Sequence, residues 1–282
     1  MKLITFLATT ILALSAHAFP MPKGNMQNVR LPRTFTANYD FEGIVGLDDC
    51  SGSIVQFEGA KDSDQALVLT NGHCYEGGMP DPGQVIVNQG SNRSFDVLNP
   101  AGKSLGSINA TTVLYSTMTD TDITLYKTQQ TYADIKTKFN VRPYTLSAAH
   151  PDLNASVQVL SGYWKRGYAC NIELFVDTLK EADWTMKDSI RYSRPGCDTI
   201  PGTSGSPIVL AGSRTVIGIN NTGNESGEEC TMDNPCEVDS LGKITYVQGY
   251  AYGQQTYKIA TCVNANLQFD TTTANCALPL PH

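Results

Sequence analysis

The sequence predicts an all-β fold with little helix, and three observations carry that expectation. Short runs of Val, Ile, Thr and Tyr recur along the whole chain. Turn-forming Gly, Asn, Asp and Pro separate them, as they do between strands. Apolar residues at helical spacing are scarce. The chain has 282 residues, of which 41% are hydrophobic and 17% charged, the composition of a folded protein with a sizeable core rather than of a disordered one.

Taken in order, "SGSIVQFEG", "QALVLTNG" and "GQVIVNQG" read as strands, because β-branched residues suit a pleated surface and each run ends in turn residues. "TTVLYST" and "DITLYKT" follow. The second half contributes "ASVQVLSGYW", "NIELFVDT", "SPIVLAG", "TVIGINNTG" and "KITYVQGYAY". About ten strands at this spacing predict a sandwich or a barrel. Two short helices are expected, one at Tyr132 to Phe139, "YADIKTKF", and one near Gln254 to Val263. There is no internal repeat and no Pro-rich linker, so Thr131 to Tyr144 is the best boundary between two halves of similar size.

The N-terminus, "MKLITFLATTILALSAHAFP", has one Lys, an apolar run from Leu3 to Leu14 and an Ala-His-Ala site, the pattern of a secretory signal over residues 1–18. Residues 19–38 then form an N-terminal segment or a removable pro-segment. The run is shorter than the roughly 20 apolar residues that span a bilayer. A secreted, extracellular or periplasmic protein is expected. Formal charge is −7, and one unit more negative without Lys2, which argues against nucleic acid or an anionic membrane as partner. The eight cysteines, 50, 74, 170, 197, 230, 236, 262 and 276, are even in number and favour disulfides in an exported chain. They lack paired C-x-x-C spacing, so no metal and no cofactor is expected.

The stretch "PGTSGSPIVL", from Pro201 to Leu210, sets a serine between glycines directly before an apolar strand. A serine hydroxyl is a poor nucleophile at neutral pH and needs a base, a group that orients the base, and N–H donors for an oxyanion. His73, in "ALVLTNGHC", follows an apolar strand that can hold an exposed ring, whereas His150 lies in a polar turn and His282 is the last residue. "TDTDITLYKT" offers Asp120 and Asp122, and Asp122 stands at the entrance of a strand, where burial demands a hydrogen-bond partner.

The stretches "LTNGHC", "TDITLYK" and "GTSGSPIV" resemble, in order and separation, the three catalytic blocks of chymotrypsin-like (trypsin-like) serine peptidases. The Gly-x-Ser-Gly-Ser-Pro form resembles their bacterial secreted branch, which includes the glutamyl endopeptidases. The resemblance runs from about Asp40 to Tyr252. It implies two six-stranded antiparallel β-barrels, over residues 39–135 and 136–282, with the active site in the cleft between them and a short C-terminal helix. His73 and Asp122 would come from the first and Ser204 from the second, with the N–H groups of Gly202 and Ser204 as oxyanion hole and His73 as base. It also implies a pair of Cys50 with Cys74; sequence proximity then joins Cys170 with Cys197, Cys230 with Cys236 and Cys262 with Cys276. Substrates would be proteins or peptides, and the protein a monomer.

The resemblance places Asp198 where trypsin-like enzymes carry the aspartate at the base of the primary pocket, which implies cleavage after Arg or Lys. The same Asp-Thr offset also fits bacterial relatives of other specificity, so both readings stand. Asn220 takes the position of the histidine with which glutamyl endopeptidases read Glu, which removes that recognition. Thr222 and Gly223 would pair with an extended substrate. Zymogens of the trypsin type place an Asp before the serine, whereas Thr203 stands here, and "IVGL" at Ile44 to Leu47 reads as a coincidental match to their new terminus. The loop "NESGEECTMDNPCEVDS" carries six acids, as a rim attracting basic substrates, a calcium site or a solvated loop. A catalytically silent peptide-binding relative is the alternative function; an esterase is disfavoured because the G-x-S-x-G elbow is missing.

Overall fold

The computed structural model describes residues 39–281. The expected signal at 1–18, the segment 19–38 and His282 lie outside the described residues. Among those described, no helix is long and apolar enough to cross a membrane.

The chain forms β1 (Ile44–Gly46), β2 (Ser51–Gln56), β3 (Gln65–Thr70), β4 (Val85–Gly90), β5 (Ser94–Leu98), β6 (Ser104–Thr117) and β7 (Ile123–Thr131). Six of these close an antiparallel ring in the order β1-β5-β6-β7-β3-β2, completed by the pairing of Val45 with Gly52. β4 hangs on β6. Then come α1 (Tyr132–Phe139) and β8 (Tyr144–Leu146), the latter parallel to β2. α1 starts at a capping box of Thr131 and Asp134 and stops at Asn140, whose φ of 53° is left-handed.

The remaining elements are β9 (Ser156–Ser161), β10 (Arg166–Glu181), β11 (Trp184–Tyr192), β12 (Pro207–Leu210), β13 (Thr215–Gly223), β14 (Cys236–Val238), β15 (Ile244–Thr245), β16 (Ala251–Gln255) and α2 (Tyr257–Thr261). A second six-stranded ring runs β13-β12-β9-β10-β11-β16 and closes through β13 with β16. The architecture is thus all-β, with two closed six-stranded antiparallel rings. β8 bridges them, parallel to β2 and to β13.

Strand alternation explains why the runs are apolar almost without interruption. Ile54 and Val68 fill the interior of the first ring, whereas their neighbours Val55, Leu67 and Leu69 face a core shared with Val209, Val216 and Ile219 of the second. Both faces are buried, so both are hydrophobic. A buried carboxylate adds to the joint: Glu42 accepts from Arg142 Nη2 at 2.6 Å, and Arg214 Nη2 donates to the Glu42 carbonyl at 2.9 Å. The disulfides are Cys50–Cys74, Cys170–Cys197, Cys230–Cys236 and Cys262–Cys276. The last holds the C-terminal tail, which returns to the first ring, where Tyr115 donates to the Pro279 carbonyl at 2.8 Å.

Ile44–Gly46, within "IVGL", is the strand that closes the first ring, and it is buried throughout. One expectation needs correction. "KITYVQGYAY" is two strands, because the chain turns at Gly249, whose φ is 82° and whose N–H donates to the Asn224 carbonyl at 2.7 Å.

Candidate active site

His73 follows β3 in a tight turn in which the Cys74 and Tyr75 amides bond back to the Asn71 and Gly72 carbonyls at 3.2 and 3.0 Å, and the Cys50–Cys74 disulfide pins the turn. Gly72 is required there. A Cβ on it would lie 2.1 Å from the Thr117 carbonyl oxygen and 2.8 Å from Asp122 Oδ1.

Asp122 sits directly before β7, 1% exposed, and its charge is satisfied by its neighbour on the cleft: His73 donates its backbone N–H to Oδ1 at 3.0 Å, and His73 Nδ1 lies 2.7 Å from Oδ2. Asp120 takes no part. It is exposed, with a left-handed φ of 55°, and its backbone pairs with β11 instead.

Ser204 lies just past a turn that the Thr203 N–H closes onto the Ile200 carbonyl at 3.0 Å, with Pro201 and Gly202 at its centre. Gly202 has a φ of 84°, the value that the third residue of such a turn requires and that glycine supplies. Gly205, at 76°, would place a Cβ 2.1 Å from the Ser51 carbonyl oxygen. The amides of Gly202 and Ser204 have no hydrogen-bond acceptor among the described residues. The Ser204 hydroxyl donates to the Asn221 carbonyl at 3.3 Å and not to His73. All three side chains line one cleft of about 490 Å³, so the structure brings His73 and Asp122 into contact and sets Ser204 in the same cavity.

Burial pushes the His73 imidazolium down, but the charge and hydrogen bond of Asp122, with smaller contributions from Glu181 and Asp49, outweigh it and hold the ring above its usual range. Burial drives the Glu181 carboxyl up to about 7, against the hydrogen bonds from Thr222 and from the Asp233 N–H.

The expected substrate-contacting residues divide. Thr222 and Gly223 line the cleft; β16 pairs with one edge of them, while β12 reaches only to Ile219, so their other edge has no strand partner. Asn220 also lines the cleft, 3% exposed, and accepts from the Tyr192 hydroxyl at 3.2 Å. Asp198 does not fit its expected place. It is exposed and outside the cleft lining, because Cys197 is anchored inward by Cys170 and the chain turns its next residue to solvent; Thr199 and Ile200 line that wall.

Three residues escaped the sequence reading. Asn71 accepts from the Gly205 amide and donates to the Asp122 carbonyl at 2.8 Å. Trp164 donates its indole N–H to the Pro201 carbonyl at 2.7 Å and buttresses the turn before Ser204. Glu181 reaches the cleft from the far end of β10. The "TNGHC" stretch contains the first, but nothing local marks the other two. Cys50, His73 and Cys74 form a cluster of metal-donor types, yet both sulfurs are consumed by their disulfide and offer no thiolate.

The family model described as Trypsin matches residues 44–244. No curated protein matches the chain. Among solved structures, it is similar to the MamO protease domain from Magnetospirillum magneticum at 14% identity, over 79% of this chain and 97% of that one, with a TM-score of 0.49. The Rv3671c protease from M. tuberculosis matches at 14% identity over 84% and 81%, with a TM-score of 0.45. Chymotrypsin of Cellulomonas bogoriensis matches at 14% over 77% and 91%, with a TM-score of 0.41.

Proposed function

The chain belongs to the trypsin family of chymotrypsin-like serine peptidases, and on that basis we propose that it is an exported serine endopeptidase acting through an acyl-enzyme, with Ser204 as nucleophile, His73 as base and Asp122 as the group that orients the base. The observation that carries this reading is the 2.7 Å contact of His73 Nδ1 with the buried Asp122 carboxylate, in the cleft that also holds Ser204. A carboxylate there holds the ring in the tautomer whose Nε2 accepts a proton.

Attack begins when the Ser204 hydroxyl turns from the Asn221 carbonyl to His73; contacts of this kind often tighten only once substrate is bound. The oxygen then adds to the scissile carbonyl as His73 takes its proton. The free amides of Gly202 and Ser204 would receive the oxyanion, and the protonated ring would return the proton to the leaving amine. Thr222 and Gly223 offer an unpaired backbone edge to an extended peptide. The first ring would supply His73 and Asp122 within 39–135, and the second Ser204 within 136–282. Four disulfides support export. Likeness to the glutamyl endopeptidase branch extends to the form of "GTSGSP" but not to Glu recognition, since Asn220 replaces the histidine.

A fluorophosphonate probe tests the reading. It should label the protein at Ser204 and leave Ser204→Ala unlabelled. Absence of labelling, with no cleavage of a proteome-derived peptide mixture, would favour a silent peptide-binding relative instead.

A further inference from the structure

The hairpin of β10 and β11 extends across the cleft, with Glu181 paired to Trp184 at its tip. Loops of the first ring hold one side of it. The Trp184 indole N–H donates to the Pro80 carbonyl at 2.9 Å, the Asp120 N–H to the Thr185 carbonyl at 3.0 Å, and the Lys187 N–H to the Asp120 carbonyl at 3.0 Å. The acidic loop after β13 holds the other. Ala182 donates its N–H to the Cys230 carbonyl at 2.9 Å, and the Asp233 N–H donates to Glu181 Oε1 at 2.8 Å. That loop is closed by Cys230–Cys236 and filled by buried Asn224, which donates to the Glu228 and Pro235 carbonyls at 3.0 and 3.2 Å. Glu181 is therefore fixed in position from both rings.

Glu181 is 9% exposed, lines the cleft and has no Lys or Arg partner among the described residues. Among the described residues no Lys or Arg lines the cleft and His73 is its one basic group, whereas Asp49, Asp122, Glu225 and Asp233 also line it. A buried carboxylate without a counter-charge is unfavourable until a cation reaches it. The cleft that holds it is also lined by Met79, Met118, Trp184, Met186 and Met232. Thioether and indole surfaces accept a methylene stem, and an indole face also attracts a cation. An apolar sleeve with a carboxylate in it matches a side chain with a long stem and a positive head.

We propose that Glu181 is a specificity residue that receives the charged head of a Lys or Arg carried by the substrate two to four residues before the scissile bond. The inference rests on the peptidase reading above. Thr222, which lines the cleft together with Glu181, belongs to the unpaired edge along which an extended substrate would lie. The basic preference is thereby moved from Asp198, which lies outside the cleft lining, to Glu181 within it.

The test has two arms. In the first, kcat/KM is measured on peptides that carry Arg, Lys, norleucine or Gln at each of these three positions, for the wild type, Glu181→Gln and Glu181→Asp. A basic residue at one position should be preferred on the order of 10- to 100-fold, as a charge-assisted hydrogen bond allows. Glu181→Gln should bring the ratio of Arg to norleucine kcat/KM close to one, whatever it does to the absolute rates, and Glu181→Asp should restore part of the preference. If Glu181→Gln does not fold, the wild type at pH 5.5, where this carboxyl is protonated, should show the same loss relative to pH 8.5. In the second arm, the Ser204→Ala protein binds fluorescent Arg and norleucine peptides, with and without Glu181→Gln. No cleavage, with an Arg preference in binding that depends on Glu181, would overturn the peptidase reading and leave this one standing. Cleavage with no basic preference at any position, or a preference that Glu181→Gln leaves intact, would overturn the inference alone, as would a preference abolished by a calcium chelator.

Discussion

The Asn71 carboxamide accepts a hydrogen bond from the amide of Gly205, 134 residues further along the chain, while its own N–H donates to the Asp122 carbonyl at 2.8 Å. One fully buried side chain thus joins the turn after Ser204 to the segments that carry His73 and Asp122. Gly205 keeps a second acceptor, the Asn220 carbonyl at 3.0 Å, so the bond that Asn71→Ala leaves without replacement is the one to Asp122. A stability loss of about 1–3 kcal/mol in urea is expected. Turnover should fall by more than KM rises, because the displaced groups are those that react. A variant as stable and as active as the wild type would remove Asn71 from this role.

Asp122→Asn should keep the fold and lose about 10⁴ in kcat, since an amide favours the wrong imidazole tautomer. Stopped-flow acylation with an activated ester measures it directly. Asp120→Asn is the control and should be close to wild type, because that side chain is exposed and away from the ring.

Gly72→Ala brings a methyl to 2.1 Å from the Thr117 carbonyl oxygen. Backbone must move, at a cost of about 3 kcal/mol. A lower Tm accompanied by slower fluorophosphonate labelling is the expected pair of results, because the same displacement reaches Asp122 Oδ1.

The pH dependence has a definite sign. His73 must be neutral to act as base, and its pKa is raised, so kcat/KM should fall as pH drops through that raised value. Glu181 contributes to the raising, so Glu181→Gln should move the acidic limb to lower pH. Stability shows the linked effect. The folded Glu181 pKa of about 7 exceeds its unfolded value, so its protonation stabilises the fold fully below the unfolded pKa, and this contribution is lost as pH rises through about 7. Glu181→Gln should therefore gain stability relative to the wild type between pH 4 and pH 8, reaching roughly 3 kcal/mol. Denaturation curves at the two pH values check it, and an equal difference at both would contradict it.

Cys230→Ser with Cys236→Ser frees the loop whose Asp233 amide bonds Glu181. Closing so short a loop is worth about 2 kcal/mol in chain entropy. Labelling of Ser204 should change little, whereas selectivity for basic peptides should drop severalfold, as measured by competition between Arg and norleucine substrates.

Reading along the chain was sufficient for whatever has a local signature. β2, β3 and β13 show as apolar runs bounded by turns, and α1 spans the residues its pattern indicated, with its capping box written in "TYAD". His73, Asp122 and Ser204 stand in short motifs whose glycines are imposed by backbone contacts. β1, β5 and β8 are too short to stand out, and β11, "WTMKDSIRY", is broken by charges that pair with other strands. Arg191 is one of them, meeting Glu237 at 2.7 Å.

What the linear order leaves open is which distant surfaces meet. Neither Asp198 nor Glu181 carries a local sign of its place, and burial distinguishes them. One is turned to water by the disulfide at Cys197, and the other is held in the cleft by a peptide N–H from a loop 52 residues downstream. Residue type and spacing set local conformation through short-range sterics and hydrogen bonding. The field felt by a carboxylate depends instead on what packs around it once both rings have closed.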